Sequence, residues 1–149
     1  MTNQTVGRPM EILLVEDSLM DARLTIEALR RSEVQHRLTL VRDGAEAMEF
    51  VLHEGRFARA PRPDLILLDL ELPRKSGREV LSEIKDHFDL KGIPVVIMTA
   101  SDDEEDRLRC QLMDVDCYIT KPVNLDKFMT VVRELKRYWI KDVILPNTE

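Results

Sequence analysis

The chain has 149 residues, 44% of them hydrophobic and 34% charged, which suits one domain with a real core and a well-solvated surface. Lys and Arg number 22 against 28 Asp and Glu, so 22 − 28 gives a net charge of −6; that balance argues against a nucleic-acid binder, whose affinity comes from neutralising phosphates. No apolar run approaches the roughly 20 residues a bilayer span needs. The polar start lacks a signal-peptide stretch, and Cys110 and Cys117 are spaced for neither a disulfide frame nor a zinc site. A cytoplasmic location, with reduced thiols and no membrane partner, is the expectation.

Short apolar strands alternate with amphipathic helices along the chain. Residues 11–15 read as a strand in which Glu11 leads into the continuous apolar run Ile12, Leu13, Leu14 and Val15, as a strand covered on both faces should. Ser18 stands at an N-cap position, and Leu19, Ala22, Ile26 and Leu29 follow at helical spacing. Residues 37–41 alternate and read as an edge strand. Asp43 caps a second helix carrying Ala45, Met48 and Leu52, and a basic, Pro-containing loop covers 54–63. Residues 64–69 are the third and most hydrophobic strand. A helix over 77–88 presents Val80, Leu81, Ile84 and Phe88 on one side. The fourth strand is 93–99, an acidic helix spans 102–113, and a short fifth strand spans 115–119. Asn124 caps the last helix, whose face is Leu125, Phe128, Met129, Val132, Leu135 and Trp139.

Strict alternation of five strands and five helices implies a doubly wound α/β fold, a parallel sheet with helices on both faces and right-handed crossovers. The expected division is a flexible segment over 1–9, one domain over 10–141 and a tail over 142–149. Residues Val143, Ile144 and Leu145 make that tail apolar, a candidate arm for a two-fold homodimer.

Ligands of open α/β sheets bind beyond the carboxyl ends of the strands. Strand one ends in Glu16 and Asp17, strand three in Asp69, strand four in Thr99, and strand five runs into Lys121. Alone, each is ordinary: a solvated acid, a helix cap, a strand threonine, a surface lysine. Together they put three carboxylates at one edge. At 4 Å and an effective dielectric near 20, each pair of charges costs roughly 4 kcal/mol, so the cluster calls for a cation or raised pKa values. Hard oxygen ligands describe a Mg²⁺ site. Asp69 is then placed to act as an oxygen nucleophile toward phosphorus, while Lys121 and Thr99 have the chemistry to hold phosphoryl oxygens.

The stretches 14–18 (Leu14, Val15, Glu16, Asp17, Ser18), 67–73 with the following Gly77, 96–100 and 118–122 resemble the receiver domains of two-component response regulators, over residues 11–139. The resemblance implies a flavodoxin-like sheet of strand order 2-1-3-4-5. It implies that Asp69 accepts a phosphoryl group from a sensor histidine kinase or a histidine phosphotransfer protein. Mg²⁺ would then be held by Glu16, Asp17, Asp69 and the backbone carbonyl of Glu71. Lys121 would contact the phosphoryl group, the Lys121–Pro122 bond would be cis, and Thr99 and Tyr118 would form a switch pair. Glu16 stands where Asp is also common. The 54–63 loop is longer and more basic than the usual receiver turn; with the ending 138–146 it resembles stand-alone regulators of phytochrome-type kinases. With only a short segment after the last helix, output is expected through protein contacts.

Three other readings use the same pattern. A flavin-binding module needs a neutral, hydroxyl-rich loop after strand one, where Glu16 and Asp17 stand instead. A dehalogenase-type phosphohydrolase places its nucleophile after strand one in a DxDxT pattern that residues 16–20 do not match. A phosphorylation-independent pseudo-receiver adaptor is opposed by intact Asp17, Asp69, Thr99 and Lys121.

Overall fold

Runs of apolar residues bounded by polar turns become five parallel strands. The computed structural model describes residues 7–100, 117–136, 139, 143 and 144. In chain order they form β1 (Met10–Val15), α1 (Leu19–Arg31), β2 (His36–Val41), α2 (Gly44–Val51), a short 3-10 turn (Gly55–Phe57), β3 (Leu65–Asp69), α3 (Gly77–Asp86), β4 (Val95–Thr99), β5 (Cys117–Thr120) and α4 (Leu125–Leu135). The sheet order is β2-β1-β3-β4-β5, all parallel. The helix expected over 102–113 and Cys110 lie outside the described residues. No described helix is long and apolar enough to cross a membrane.

Side chains alternate across a strand, so each apolar run feeds two cores. Leu13 and Leu14 are both wholly buried, on opposite faces. One core joins Met10, Ile12, Leu14, Leu67 and Met98 to α1 and α4; the other joins Leu13, Val15, Ile66, Leu68 and Ile97 to α2 and α3. β2 has the sheet on one side only and is mostly half-buried, the edge strand its alternation predicts.

Three helices begin at the expected caps. Side-chain oxygens of Ser18, Asp43 and Asn124 accept the backbone N–H of Asp21, Glu46 and Lys127. The expected face of α1 is wrong in part. Ala22, Thr25, Ala28 and Leu29 are buried, whereas Leu19 and Ile26 are exposed, as are Met20 and Leu24. Small residues let this helix lie close to the sheet, and the Thr25 hydroxyl is satisfied by donating to the Asp21 carbonyl at 3.1 Å. The third helix stops at Asp86, because His87 turns extended (φ −90, ψ 124). Phe88, expected on the apolar face, is therefore 82% exposed, and Leu90 and Ile93 fill the core instead.

The last helix buries Phe128, Val131, Val132 and Leu135, and Trp139 beyond it donates its indole N–H to the Asp64 carbonyl at 2.8 Å. Val143 packs into the chain's own core and bridges Arg8 in parallel, with the Ile144 N–H on the Arg8 carbonyl. Arg8 also grips Asp64 through two N–H···O contacts of 2.5 and 2.6 Å. Arg8, Val143 and Ile144 are thus tied together at the amino edge of the sheet. Residues 145–149, the remainder of the candidate dimer arm, lie outside the described residues.

One glycine sets the spacing between β3 and α3. A Cβ on Gly77 would stand 2.1 Å from the Asp69 carbonyl oxygen. Gly77→Ala is expected to cost about 1–3 kcal/mol, the usual range for overpacking, read as a lowered urea midpoint with unchanged slope. Phe88→Ser should stay within about 0.5 kcal/mol of the parent, as exposed changes do. A Gly77→Ala protein as stable as the parent would contradict this close approach.

Candidate functional site

The carboxyl ends of four neighbouring strands meet at one edge. Glu16 and Asp17 follow β1, Asp69 closes β3, Thr99 closes β4, and Lys121 follows β5, its N–H on the Thr99 carbonyl at 2.8 Å. Register fixes their proximity, since Val15 pairs with Leu68, Asp69 with Met98, and Thr99 with Thr120. The Lys121–Pro122 peptide is cis.

The Lys121 ammonium is the centre of the site. It lies 2.8 Å from Asp69 Oδ2, 2.7 Å from Glu16 Oε1 and 3.0 Å from Asp21 Oδ2. Glu16 is almost wholly buried, Asp69 and Lys121 nearly so, and Asp21 is about one-third exposed (34%). The other oxygens of the two buried acids are held by main-chain donors: Glu16 Oε2 by the Ser18 N–H and Asp69 Oδ1 by the Glu71 N–H, each at 3.0 Å. Glu16 Oε1 touches Lys121 as an ion pair, yet no hydrogen bond is aimed at it.

Burial is the main force on Glu16. It disfavours the charged form, the neighbouring Asp69 adds to the effect, and Lys121 and the Ser18 N–H only partly oppose it, so the carboxyl is pushed up to about 7. Burial acts to lower the Lys121 pKa, but the carboxylates of Asp69, Glu16 and Asp21 around the ammonium outweigh it and hold it more firmly charged.

Other expected site residues stand nearby without joining this cluster. The Asp17 carboxylate is half exposed and turned to Arg42, at 3.9 Å, whose guanidinium also donates to the Asp17 carbonyl at 2.8 and 3.2 Å. The Glu71 side chain points outward to Arg78, 3.4 Å away, leaving its backbone beside Asp69. Thr99 is buried at its strand end, and Tyr118 is half-buried against the α2–α3 core. Asp21 was not anticipated. Its signal was the Ser18-x-x-Asp21 spacing of a capping box, which puts an acid in the first turn of α1, one turn beyond Asp17.

Among the described residues no three acids, histidines or cysteines form a ready metal cage, because the ammonium stands among Glu16, Asp21 and Asp69. The donor set still fits a divalent cation. All donors are hard oxygens, one buried carboxylate oxygen lacks a hydrogen bond, and once Glu16 is ionised three carboxylates against one ammonium leave −3 + 1 = −2.

Residues 12–133 match the family model described as a response regulator receiver domain. The chain belongs to the response-regulator receiver family. This receiver is 48% identical over 138 residues to the response regulator Rcp1 of Synechocystis sp., covering 93% of this chain and 94% of that protein. Its fold matches the crystal structure of Mn²⁺-bound Rcp1 with a TM-score of 0.76 at 47% identity, covering 93% of this chain and 100% of that one. The phosphorylated cyanobacterial phytochrome response regulator RcpA matches equally well, with a TM-score of 0.76 and 47% identity over 93% of this chain and 99% of that one. The receiver is thus a module of two-component signalling on a flavodoxin-like fold, as its strand-end motifs implied.

The raised Glu16 pKa carries a sign for stability. An unfolded Glu loses its proton near the ordinary value of 4.5, whereas folded Glu16 keeps its proton to about 7. Between these values the folded state holds the extra proton, so this group's stabilising contribution is lost as pH rises. In divalent-free buffer, the stability of Glu16→Gln relative to the parent should therefore increase from pH 4.5 to about 7. A pH-independent difference between the two urea midpoints would contradict the burial argument.

Proposed function

We propose that this receiver accepts a phosphoryl group on Asp69 from the phosphohistidine of a sensor histidine kinase or a histidine phosphotransfer protein. The observation that carries the reading is the hold on Asp69: a buried carboxylate with one oxygen on the Glu71 N–H and the other on the Lys121 ammonium. Fixed in this way, it presents an oxygen at the open edge of the sheet. That oxygen attacks phosphorus, the P–N bond breaks, and the histidine nitrogen keeps the electron pair and takes up a proton. In hydrolysis a water oxygen attacks phosphorus, the P–O bond to Asp69 breaks, its carboxylate is restored and the proton leaves with phosphate. Lys121 and the Thr99 hydroxyl hold phosphoryl oxygens during both steps.

A divalent ion, Mg²⁺ in the cell, would be held by Asp17, Asp69 and the Glu71 carbonyl with Glu16 assisting. When bound, it offsets charge on the transferred oxygens. Asp17 would first have to leave Arg42, and Lys121 would have to yield part of its hold on Glu16 and Asp69. Phosphorylation adds roughly −1.5 to −2 charges. The Thr99 hydroxyl follows that charge and opens space for the half-buried Tyr118 ring, which moves inward and changes the β5–α4 surface. The receiver acts on no other substrate.

Similarity to a phytochrome response regulator supports a phytochrome-type kinase as the phosphoryl source. A homodimer with output through protein contacts in the cytoplasm belongs to the same reading, although Val143 gives it no support because it packs into the chain's own core. Retention of Asp17, Asp69, Thr99 and Lys121 disfavours a pseudo-receiver that never takes up phosphate.

With acetyl phosphate and Mg²⁺, the parent should gain one alkali- and hydroxylamine-labile phosphoryl group, and Asp69→Asn none. Lys121→Ala should slow labelling by about 10²-fold, the usual cost of losing one charge-stabilising donor. Undiminished labelling of Asp69→Asn would overturn the assignment.

A further inference from the structure

We propose that Asp21 is a positioning residue that competes with the phosphoryl group for Lys121, and so shortens the life of the phosphorylated state. The inference rests on the reading of Asp69 as the acceptor. An ammonium has three N–H donors and no acceptor. Here it meets three carboxylates within 3.0 Å, with hydrogen bonds to Asp69 and Asp21 and a contact with Glu16. Two of its donors are spent on Asp69 and Asp21, and Glu16 Oε1 crowds it at 2.7 Å, so a phosphoryl oxygen can be gripped only if one partner is given up.

The three partners do not change equally on phosphorylation. Asp69 loses its own charge to the acyl phosphate. Glu16 lies among the groups proposed to gather around the divalent ion. Asp21 keeps its charge and stays beside the lysine, so the ammonium is shared between Asp21 and the new phosphoryl oxygens. Charge-assisted contacts of this kind are the stronger ones, but Asp21 is one-third exposed and water weakens its pull. The result is a bias on Lys121 rather than a lock.

Local structure holds Asp21 in this role. Its N–H is capped by Ser18 Oγ at 3.2 Å, and its carbonyl accepts the Thr25 hydroxyl at 3.1 Å. Both contacts are to the main chain of residue 21, so exchanging its carboxylate for an amide leaves the first turn of α1 intact. Asp21 also presents a negative charge to any incoming phosphoryl donor, which opposes loading as well as retention.

The test follows ³²P-labelled protein, loaded from acetyl phosphate with Mg²⁺, through loading and decay. Asp21→Asn should lengthen the phosphoryl half-life by about two- to tenfold, the span of one polar contact at a partly exposed site, and load faster than the parent. Asp21→Glu keeps the charge and should decay within about twofold of the parent, inside that same span. In a Lys121→Ala background, Asp21→Asn should change the half-life no further, because its effect runs through the lysine. A half-life unchanged or shortened in Asp21→Asn, or equally lengthened without Lys121, would overturn the role of Asp21 while leaving Asp69 as acceptor. A parent protein that takes no label would overturn the acceptor reading and this inference with it.

Discussion

One buried cation organises the candidate functional edge of this receiver. The Lys121 ammonium reaches Glu16 after β1, Asp69 at the end of β3 and Asp21 in the first turn of α1. Without it, two nearly buried carboxylates would face each other in a low dielectric, where each pair costs several kcal/mol. The ammonium therefore permits an arrangement that is unstable alone, and the excess negative charge around it is what makes the edge receptive to a divalent ion. The site is preorganised by attraction and left deliberately short of cations.

The rest of the fold serves this meeting. A parallel sheet directs all five carboxyl ends to one side, so residues from distant parts of the chain converge without any one segment containing the site. Largely apolar central strands with a core on each face keep the register from slipping, since a one-residue shift would turn every side chain over. Gly77 lets α3 start close against the end of β3. The contacts among Arg8, Asp64, Trp139 and Val143 close the opposite edge, away from the candidate site.

Much of this was legible in the sequence because it depends on period and position. Continuous apolar runs located β1, β3 and β4, and Ser18, Asp43 and Asn124 marked helix starts through a local backbone rule that tertiary packing did not override. Asp69, Thr99 and Lys121 followed from being the polar residues at strand ends. What failed depended on size and on partners. The α1 face was misjudged because close packing selected Ala22, Thr25 and Ala28 over the larger Leu19 and Ile26. Phe88 was placed on a helix that His87 had already ended. Asp17 follows Glu16 in sequence, yet successive side chains diverge, so Arg42 rather than Lys121 is its partner. Asp21 was missed because its first-turn position had a sufficient explanation as a helix acid, and nothing in the local sequence reveals a lysine 100 residues away.

The account's central claim is that the carboxylate held by Lys121 and the Glu71 N–H is the one that carries the phosphoryl group. Borohydride reduces an acyl phosphate to an alcohol and leaves free carboxylates untouched, so it marks the acceptor permanently. Peptide mass mapping of the phosphorylated, borohydride-treated protein should find homoserine at position 69 and an unmodified acid at positions 16, 17 and 21. Homoserine at position 17 or 21, hydroxynorvaline at position 16, or Asp69 intact in a fully labelled sample, would contradict it.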